Sequence, residues 1–252
     1  MNISEAKLSI IIPIYNEEKS LPLLLSDLNA WNVSTEIIIV KSYFSDNTEL
    51  ISQLSNAKIF NSIEPNRGRQ MKIGADNSTQ EWLLFIHADS RLEKGCWGKV
   101  DSVIRKKISK RYAWYFDLKI DGKNFNFRLL ELIVFFRSVF LNKPYGDQGL
   151  LINKELYKKI GGFKPFYIME DLDIITRILK LSKLKRLKIP LLTSGRKWEK
   201  RNILLQSLVN ANLRRRWRKG ESTYNLYKEY YSKQPKITFE KKRIFSLLKL
   251  FN

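Results

Sequence analysis

From Leu8 to Ile86 the chain alternates short β-branched runs with segments whose apolar positions recur every three or four residues. Such alternation predicts a parallel sheet flanked by helices. The predicted strands are Leu8 to Ile14, Glu36 to Val40, Lys58 to Phe60 and Trp82 to Ile86. Helices are expected over Leu21 to Trp31, Asp46 to Ser55 and Gln70 to Asn77, with Ser20 and Asp46 as caps. After Gly98 the pattern predicts a charged helix to Ile108, an aromatic strand Tyr112 to Ile120 and a hydrophobic helix Phe127 to Phe140. A strand Gly149 to Ile152 and a helix Lys154 to Ile160, ended by Gly161, come next. Leu172, Ile175, Ile178 and Leu179 give helical spacing to Asp171–Ser182, and Leu184 to Leu192 reads as a strand. Beyond Asn202 the pattern is helical and strongly basic. With no repeat or low-complexity linker, the expectation is one α/β domain over residues 1–199 and a basic amphipathic helical extension over 200–252.

Charge changes this picture more than composition does. An apolar fraction of 44% suits a buried core, but 46 Lys and Arg against 25 Asp and Glu leave a net charge of +21, well beyond what solubility needs. An anionic partner is implied: nucleic acid, an acidic membrane surface or phosphorylated small molecules, among which charge alone does not choose. The single cysteine, Cys96, excludes an internal disulfide framework and suits a reducing compartment. The polar start, Met1 to Lys7, carries no signal-peptide pattern, so the cytosolic side is expected. The longest apolar stretch, Leu129 to Leu141, is interrupted by Glu131 and Arg137 and falls short of the ~20 residues that span a bilayer, so any membrane contact is expected to be peripheral.

In open α/β sheets ligands bind beyond the carboxyl ends of the strands. The residues just after the predicted strands are polar: Asn16 and Glu17; Ser42 to Asn47 with Asp46; Asn61 to Arg69 with Arg67 and Arg69; His87 to Arg91 with Asp89. Carboxylates, amides and arginines at one edge suit a nucleoside diphosphate and a divalent cation. Asp89, just after an apolar strand, can hold Mg²⁺ or Mn²⁺ against a diphosphate, although on pattern alone a cap for the next helix is the readier explanation. Glu170 and Asp171 stand where a helix dipole favours negative charge, and taken alone a plain N-terminal cap is the readier explanation for them too.

Five ordered segments decide between these readings. Ser9-Ile10-Ile11-Ile12-Pro13-Ile14-Tyr15-Asn16-Glu17-Glu18, Arg67-Gly68-Arg69-Gln70-Met71, Phe85-Ile86-His87-Ala88-Asp89-Ser90, Pro144-Tyr145-Gly146-Asp147-Gln148-Gly149 and Met169-Glu170-Asp171 resemble, in order, the signatures of family 2 glycosyltransferases. The match is similar to a bacterial subgroup, the transferase-2, radical-SAM/selenodomain-associated proteins. The resemblance implies a GT-A fold and sugar transfer from a nucleotide diphosphate with inversion at the anomeric carbon. It implies a donor site at Pro13, Tyr15, Asn16, Glu17, Asp46, Arg67, Arg69, Gln70 and Asp89. Asp89 then takes the last acid position of the metal-binding DxD signature, holding Mg²⁺ or Mn²⁺, with His87 at the first. Asp171 takes the place of the catalytic base beside Glu170. Tyr145, Asp147 and Gln148, with Arg196 and Trp198 of Ser194-Gly195-Arg196-Lys197-Trp198-Glu199, fall near donor or acceptor. In a single displacement one carboxylate must accept the proton of the attacking hydroxyl while the diphosphate leaves, and Asp171 suits that part. Charge grows on the leaving group as the bond breaks, where a metal on Asp89 and Arg67 or Arg69 would act most strongly.

One segment departs from the family pattern. In Val40-Lys41-Ser42-Tyr43-Phe44-Ser45-Asp46-Asn47-Thr48 the family's usual acid is replaced by Lys41, and a cation accepts no hydrogen bond from a base or ribose. That change implies an altered donor pocket, or a catalytically weakened protein. The other class to weigh is a basic nucleic-acid-binding protein, for Arg214-Arg215-Arg216-Trp217-Arg218-Lys219. Against it, the carboxylates would have no part to play, and no nucleic-acid partner is expected. The extension suits an anionic membrane face instead. Leu205, Leu208, Val209, Leu213 and Trp217 share one helical face beside clustered cations, and Lys241 to Phe251 repeats the arrangement. The expected partners are therefore a nucleotide diphosphate-sugar, an acceptor that is lipid-linked or delivered at the membrane, and the inner membrane surface. The alternative is that the stripe packs on the domain and the cations are merely solvated.

Overall fold

The computed structural model describes residues 5–17, 19–31, 33–42, 56–195 and 203–232. The helix expected over Asp46 to Ser55, the segment Lys241 to Phe251, and the candidate residues Asp46, Arg196 and Trp198 lie outside these residues.

In chain order the elements begin with β1 (Glu5–Ile14), α1 (Leu21–Asn29), β2 (Ser34–Ser42), β3 (Lys58–Ser62), α2 (Arg67–Asp76) and β4 (Trp82–Phe85). They continue with β5 (Ser90–Leu92), α3 (Cys96–Ile104), β6 (Ala113–Ile120), α4 (Phe125–Phe140), β7 (Leu150–Asn153) and α5 (Lys154–Lys159). α6 (Glu170–Leu181), β8 (Leu184–Thr193), α7 (Ile203–Arg218) and α8 (Thr223–Ser232) complete the described chain. The strands form one sheet of order β3-β2-β1-β4-β7-β6-β8-β5. β1, β2, β3 and β4 are mutually parallel, β6 and β8 are parallel, and β7 and β5 enter antiparallel.

The unbroken apolar run in β1 is explained by burial on both faces. Ile10, Ile12 and Ile14 pack against Leu21, Leu24 and Leu28 of α1 and Val100 of α3. Ile11 between them joins Met71 and Ala75 of α2 and Ile174, Ile175 and Ile178 of α6 on the other side. Cys96 sits inside the first layer, its thiol pushed up to about 12 by burial. β5 has no counterpart among the predicted strands, because three residues carry no periodicity. Ser20 does precede α1, but its side chain makes no capping hydrogen bond; Pro22 in the first turn lacks an N–H and reduces the need for one.

Two features shape the carboxyl edge of the sheet. β1 pairs with β2 as far as Ile14 opposite Lys41, but with β4 only as far as Ile11 opposite Phe85. The carbonyl of Ile11 faces β4, where it accepts from Ile86 N, so Pro13, two residues on, turns its missing N–H toward a strand that has already stopped pairing. Because β7 runs antiparallel to β4, the turn that precedes it enters at this same edge. Gln70 of α2 braces the edge from below, its amide nitrogen donating to the carbonyls of Ile14 and Val40, both at 2.8 Å.

The C-terminal helices pack on this domain. Leu213 and Leu226 are buried against Met169 and Leu172, with Val209 and Trp217 partly buried beside them. That part of the expected stripe faces the protein, where apolar side chains of α6 offer it burial, while Leu208 stays 68% exposed. Arg216 of α7 pairs with Glu221 in the connecting segment, at 2.6 Å, and with Glu229 of α8. Among the described residues no helix is long and apolar enough to cross a membrane.

Candidate active site

α2 starts three residues before the periodicity predicts, at Arg67, because Asn66 caps it: the Asn66 side chain accepts from Arg69 N at 2.9 Å and donates to Pro165 O at 3.1 Å. Arg67, Gly68 and Arg69 therefore form a first turn in which the Asn66 side chain satisfies the Arg69 N–H, and the helix dipole there favours an anion. Arg67 Nε donates to Glu170 Oε1 on α6, a carboxylate with no solvent exposure. Burial pushes the Glu170 carboxyl up; Arg67 pulls it back and Asp171 adds to the rise. Burial works against the charge of Arg67, but Glu170 and Asp171 outweigh it and hold the guanidinium pKa above its ordinary value. Arg69 reaches Glu64 at 3.4 Å, and Glu64 also accepts from Tyr167 Oη at 3.0 Å.

The two acids at the start of α6 have different surroundings. Met169 enters the helix in the left-handed region, at φ +68°, a conformation uncommon for a residue with a side chain. Glu170 is enclosed beside the partly exposed Arg67, whereas Asp171 is half-buried and is held by two backbone donors. Its Oδ1 accepts from Leu172 N at 2.8 Å, and its Oδ2 from Gly146 N at 3.0 Å. Gly146 is wedged in place: a Cβ there would lie 3.2 Å from His87 Nε2 and 3.6 Å from Asp171 Cβ. His87, Gly146 and Asp171 thus meet although they come from three distant segments.

The turn that carries Gly146 is fixed from inside. Gln148 is buried, donating to Phe116 O at 3.1 Å and accepting from Ser138 Oγ at 2.8 Å and Tyr145 N at 3.3 Å. The Arg137 guanidinium lies 3.6 Å from the Tyr145 ring centroid and donates to Lys143 O at 2.9 Å. Burial lowers the Arg137 pKa, with Asp147 opposing. Asp147 is pushed up by burial, drawn down by Arg137 and raised again by Asp171. At the end of β1, Tyr15 is half-buried and raised by burial and then by Tyr231, Asn16 takes φ +54°, and Glu17 begins the turn into α1. Tyr231 of α8 also acts on Arg67, so the end of α8 lies close to the first turn of α2.

Asp89 is buried in a turn between β4 and β5, and the next helix, α3, is preceded by Gly95. The helix-cap explanation is thereby overturned, since the chain passes from Asp89 directly into the strand β5. Among the described residues no three His, Cys, Asp or Glu side chains converge as a cage for a metal. A buried carboxylate such as Asp89 fits the other mode open to Mg²⁺ or Mn²⁺, in which one carboxylate holds the ion together with phosphate oxygens and water.

Of the predicted residues, Arg67, Glu170, Asp171, Tyr145 and Asp147 come together, Tyr15 borders them beside Tyr231, and Arg69 lies in the same first turn of α2. Pro13, Gln70 and Gln148 shape the site from within the fold. Lys41 continues β2, opposite Ile14 and Asn61. Periodicity misses Asn66, Arg137, Gly146 and Tyr231; a signal exists for Arg137, a charge inside an apolar helix that needs a partner. Among the described residues, Arg69 Nε, Asp147 Oδ1 and Glu170 Oε2 are buried without a hydrogen-bond partner.

Solved structures with the same architecture define the class of fold. S. aureus TarS 1-349 in complex with UDP-GlcNAc aligns with TM-score 0.59 and 17% identity, over 75% of this chain and 58% of that one. Glucosyl-3-phosphoglycerate synthase from Mycobacterium tuberculosis, in complex with Mn²⁺, UDP and glucosyl-3-phosphoglycerate, aligns with TM-score 0.52 and 16% identity, over 80% and 74%. The curled, mostly parallel sheet flanked by helices is that of GT-A glycosyltransferases. The signature of Glycosyl transferase family 2 matches residues 9–158, and the chain belongs to that family. An "uncharacterized glycosyltransferase" of Haemophilus influenzae is 28% identical over 183 residues, 69% of this chain and 62% of the relative, so the chain spans about three fifths of that relative's length.

Proposed function

We propose that this chain transfers a sugar from a nucleotide diphosphate-sugar to an acceptor hydroxyl in a single displacement with inversion, with Asp171 as general base. The observation that carries the reading is a set of buried atoms with no partner among the described residues, Arg69 Nε, Asp147 Oδ1 and Glu170 Oε2, in the segments around a carboxylate held by two backbone N–H groups. Buried polar atoms without partners are rare and mark a place that a ligand or water completes. Family membership, and structural neighbours in complex with UDP-GlcNAc or with Mn²⁺ and UDP, support a nucleotide-sugar donor.

In this reading the first turn of α2 receives the diphosphate, with Arg67 and Arg69 as its cations. Gly146 N–H and Leu172 N–H orient Asp171 toward the acceptor hydroxyl, whose proton it accepts as the bond to the anomeric carbon forms. Asp89 would hold the divalent ion, which when bound neutralises charge on the leaving diphosphate. Within the family, the ordered motifs support the radical-SAM/selenodomain-associated subgroup. The strongly basic chain supports work at the cytoplasmic face of a membrane, with the acceptor delivered there. A thermal-shift panel of nucleoside diphosphates and nucleotide sugars, with and without Mn²⁺, tests the reading: metal-dependent stabilisation is expected, and none with any nucleotide would refute it.

A further inference from the structure

Helix α4 is apolar on both faces. Phe127, Leu130 and Val134 form its inner side, packed with Leu118 and Ile120 of β6. The opposite side carries Phe125, Leu129, Leu132, Ile133, Phe136 and Phe140, at the i, i+4, i+7, i+8 spacing of a single helical stripe. All six are exposed, Phe125 at 77% and Phe140 at 67%. A helix apolar all round is ordinarily buried, and a stripe running the length of a four-turn helix is not the scattered apolar exposure of ordinary surfaces.

We propose that this outer face of α4 docks the chain on an anionic lipid surface, lying in the plane of the headgroups. The helix has 16 residues, about 24 Å, too short to span the hydrocarbon and long enough to lie along it. Charge selects the occupant. Lys123 and Lys143 bracket this stretch against Asp121, while Lys119 pairs with Glu93, Arg128 pairs with Glu131, and Arg137 turns inward onto Tyr145. Glu131 is turned inward, accepting from Ile120 N at 2.6 Å and from Arg128 at 3.0 Å. A second copy of a chain with net charge +21 would be repelled from this face, whereas anionic lipid is attracted to it. The inner side of the same helix braces the site, since Arg137 stacks on Tyr145 and Ser138 donates to Gln148. Docking through α4 would therefore bring the Gly146 turn close to the lipid surface, where the acceptor is delivered in the proposed reaction. The placement of the acceptor rests on that reaction; the docking face does not.

The test is co-sedimentation of the full chain, without substrate, on vesicles of equal phosphatidylcholine and phosphatidylglycerol and on phosphatidylcholine alone. Binding is expected to the anionic vesicles only, to fall with salt, and to drop at least tenfold in Leu132→Ser/Phe136→Ser/Phe140→Ser. Phe136→Glu alone carries the same expectation should the triple variant not fold. Leu208→Ser, on α7, should bind as the unaltered chain does. Wild-type binding by the α4 variants, loss of binding in Leu208→Ser instead, or a lipid-free dimer that the α4 variants dissociate would each overturn the proposal. Nucleotide-induced stabilisation measured on the same samples is expected to survive in the α4 variants; its absence from the unaltered chain would count against the transferase reading and leave the vesicle result standing.

Discussion

Gly68 offers the sharpest test of how the site is held. A Cβ at this position would lie 2.3 Å from the carbonyl oxygen of Lys164, 3.0 Å from Phe166 N and 3.1 Å from Glu170 Cβ. Ordinary carbon–oxygen contacts are about 3.3 Å or longer, so Gly68→Ala requires α2 and the 164–166 segment to part by about 1 Å. Two of the three obstacles are backbone, and no rotamer change relieves them. Overpacking of this kind costs about 1–3 kcal/mol, which for a chain of this size lowers Tm by roughly 2–12 °C. The same displacement draws Arg67 away from Glu170 and shifts the first turn of α2, where a 1 Å error can reduce turnover by about 10²-fold. Differential scanning fluorimetry with a nucleoside diphosphate titration reads both effects. Gly98→Ala serves as the control: a Cβ there meets nothing within 4 Å, and removing a helical glycine from α3 should stabilise by about 0.5–1 kcal/mol. If Gly68→Ala melts and binds nucleotide as the unaltered chain does, α2 is not seated against Glu170 as described.

Asp171→Asn keeps the side-chain shape but removes the base, and turnover should fall by about 10²-fold or more while nucleotide stabilisation persists; unchanged turnover would end the assignment. Asp89→Ala should abolish only the Mn²⁺-dependent part of nucleotide stabilisation, and a variant with the original metal dependence would show that Asp89 is structural. For Glu36, burial opposes ionisation, but hydrogen bonds from Lys58, Ser9 and Thr79 outweigh it and lower its pKa from 4.5 to about 2. A carboxylate depressed in the folded state stabilises above its unfolded pKa, so this contribution is present above pH 4.5 and lost as pH falls through about 2. The shift corresponds to at most about 3 kcal/mol, reduced to about 1–2 by exposure of the Lys58 partner. In melting curves from pH 6 to 2, Glu36→Gln should therefore start less stable and converge on the unaltered chain; a constant gap would contradict this account.

Strong periodicity makes the sheet legible: β1, β2 and β4 lie where aliphatic runs place them and β6 where an aromatic run does, since those runs have no stable alternative to burial. The start of α2 is obscured because Asn66 caps through a single side chain, and Arg67, Gly68 and Arg69 carry no apolar phase. Glu170 and Asp171 stand out as a pair, yet their division into a buried carboxylate paired with an arginine and a half-open carboxylate depends on Arg67 and Gly146, which no local pattern connects to them. The stripe on α7 is legible as apolar, but sequence spacing does not say what a stripe faces. α4 shows the converse, for its short length and three interrupting charges disguise a face that is exposed among the described residues.

The hydrogen bonds that close the cleft join residues far apart in the chain: Arg67 to Glu170 and Glu64 to Tyr167 across 103 positions, Asn66 to Pro165 across 99. Contacts of such high sequence separation form only after the entropy of closing a long loop has been overcome. During synthesis β1, β2, β3 and β4 can assemble while α6 is still to be made, so the nascent chain holds half of the site with Arg67 still lacking Glu170. A ribosome-bound intermediate stalled before Pro165 should accordingly show a protease-resistant β1–β4 core that does not respond to nucleotide, and competence should appear abruptly once α6 has emerged.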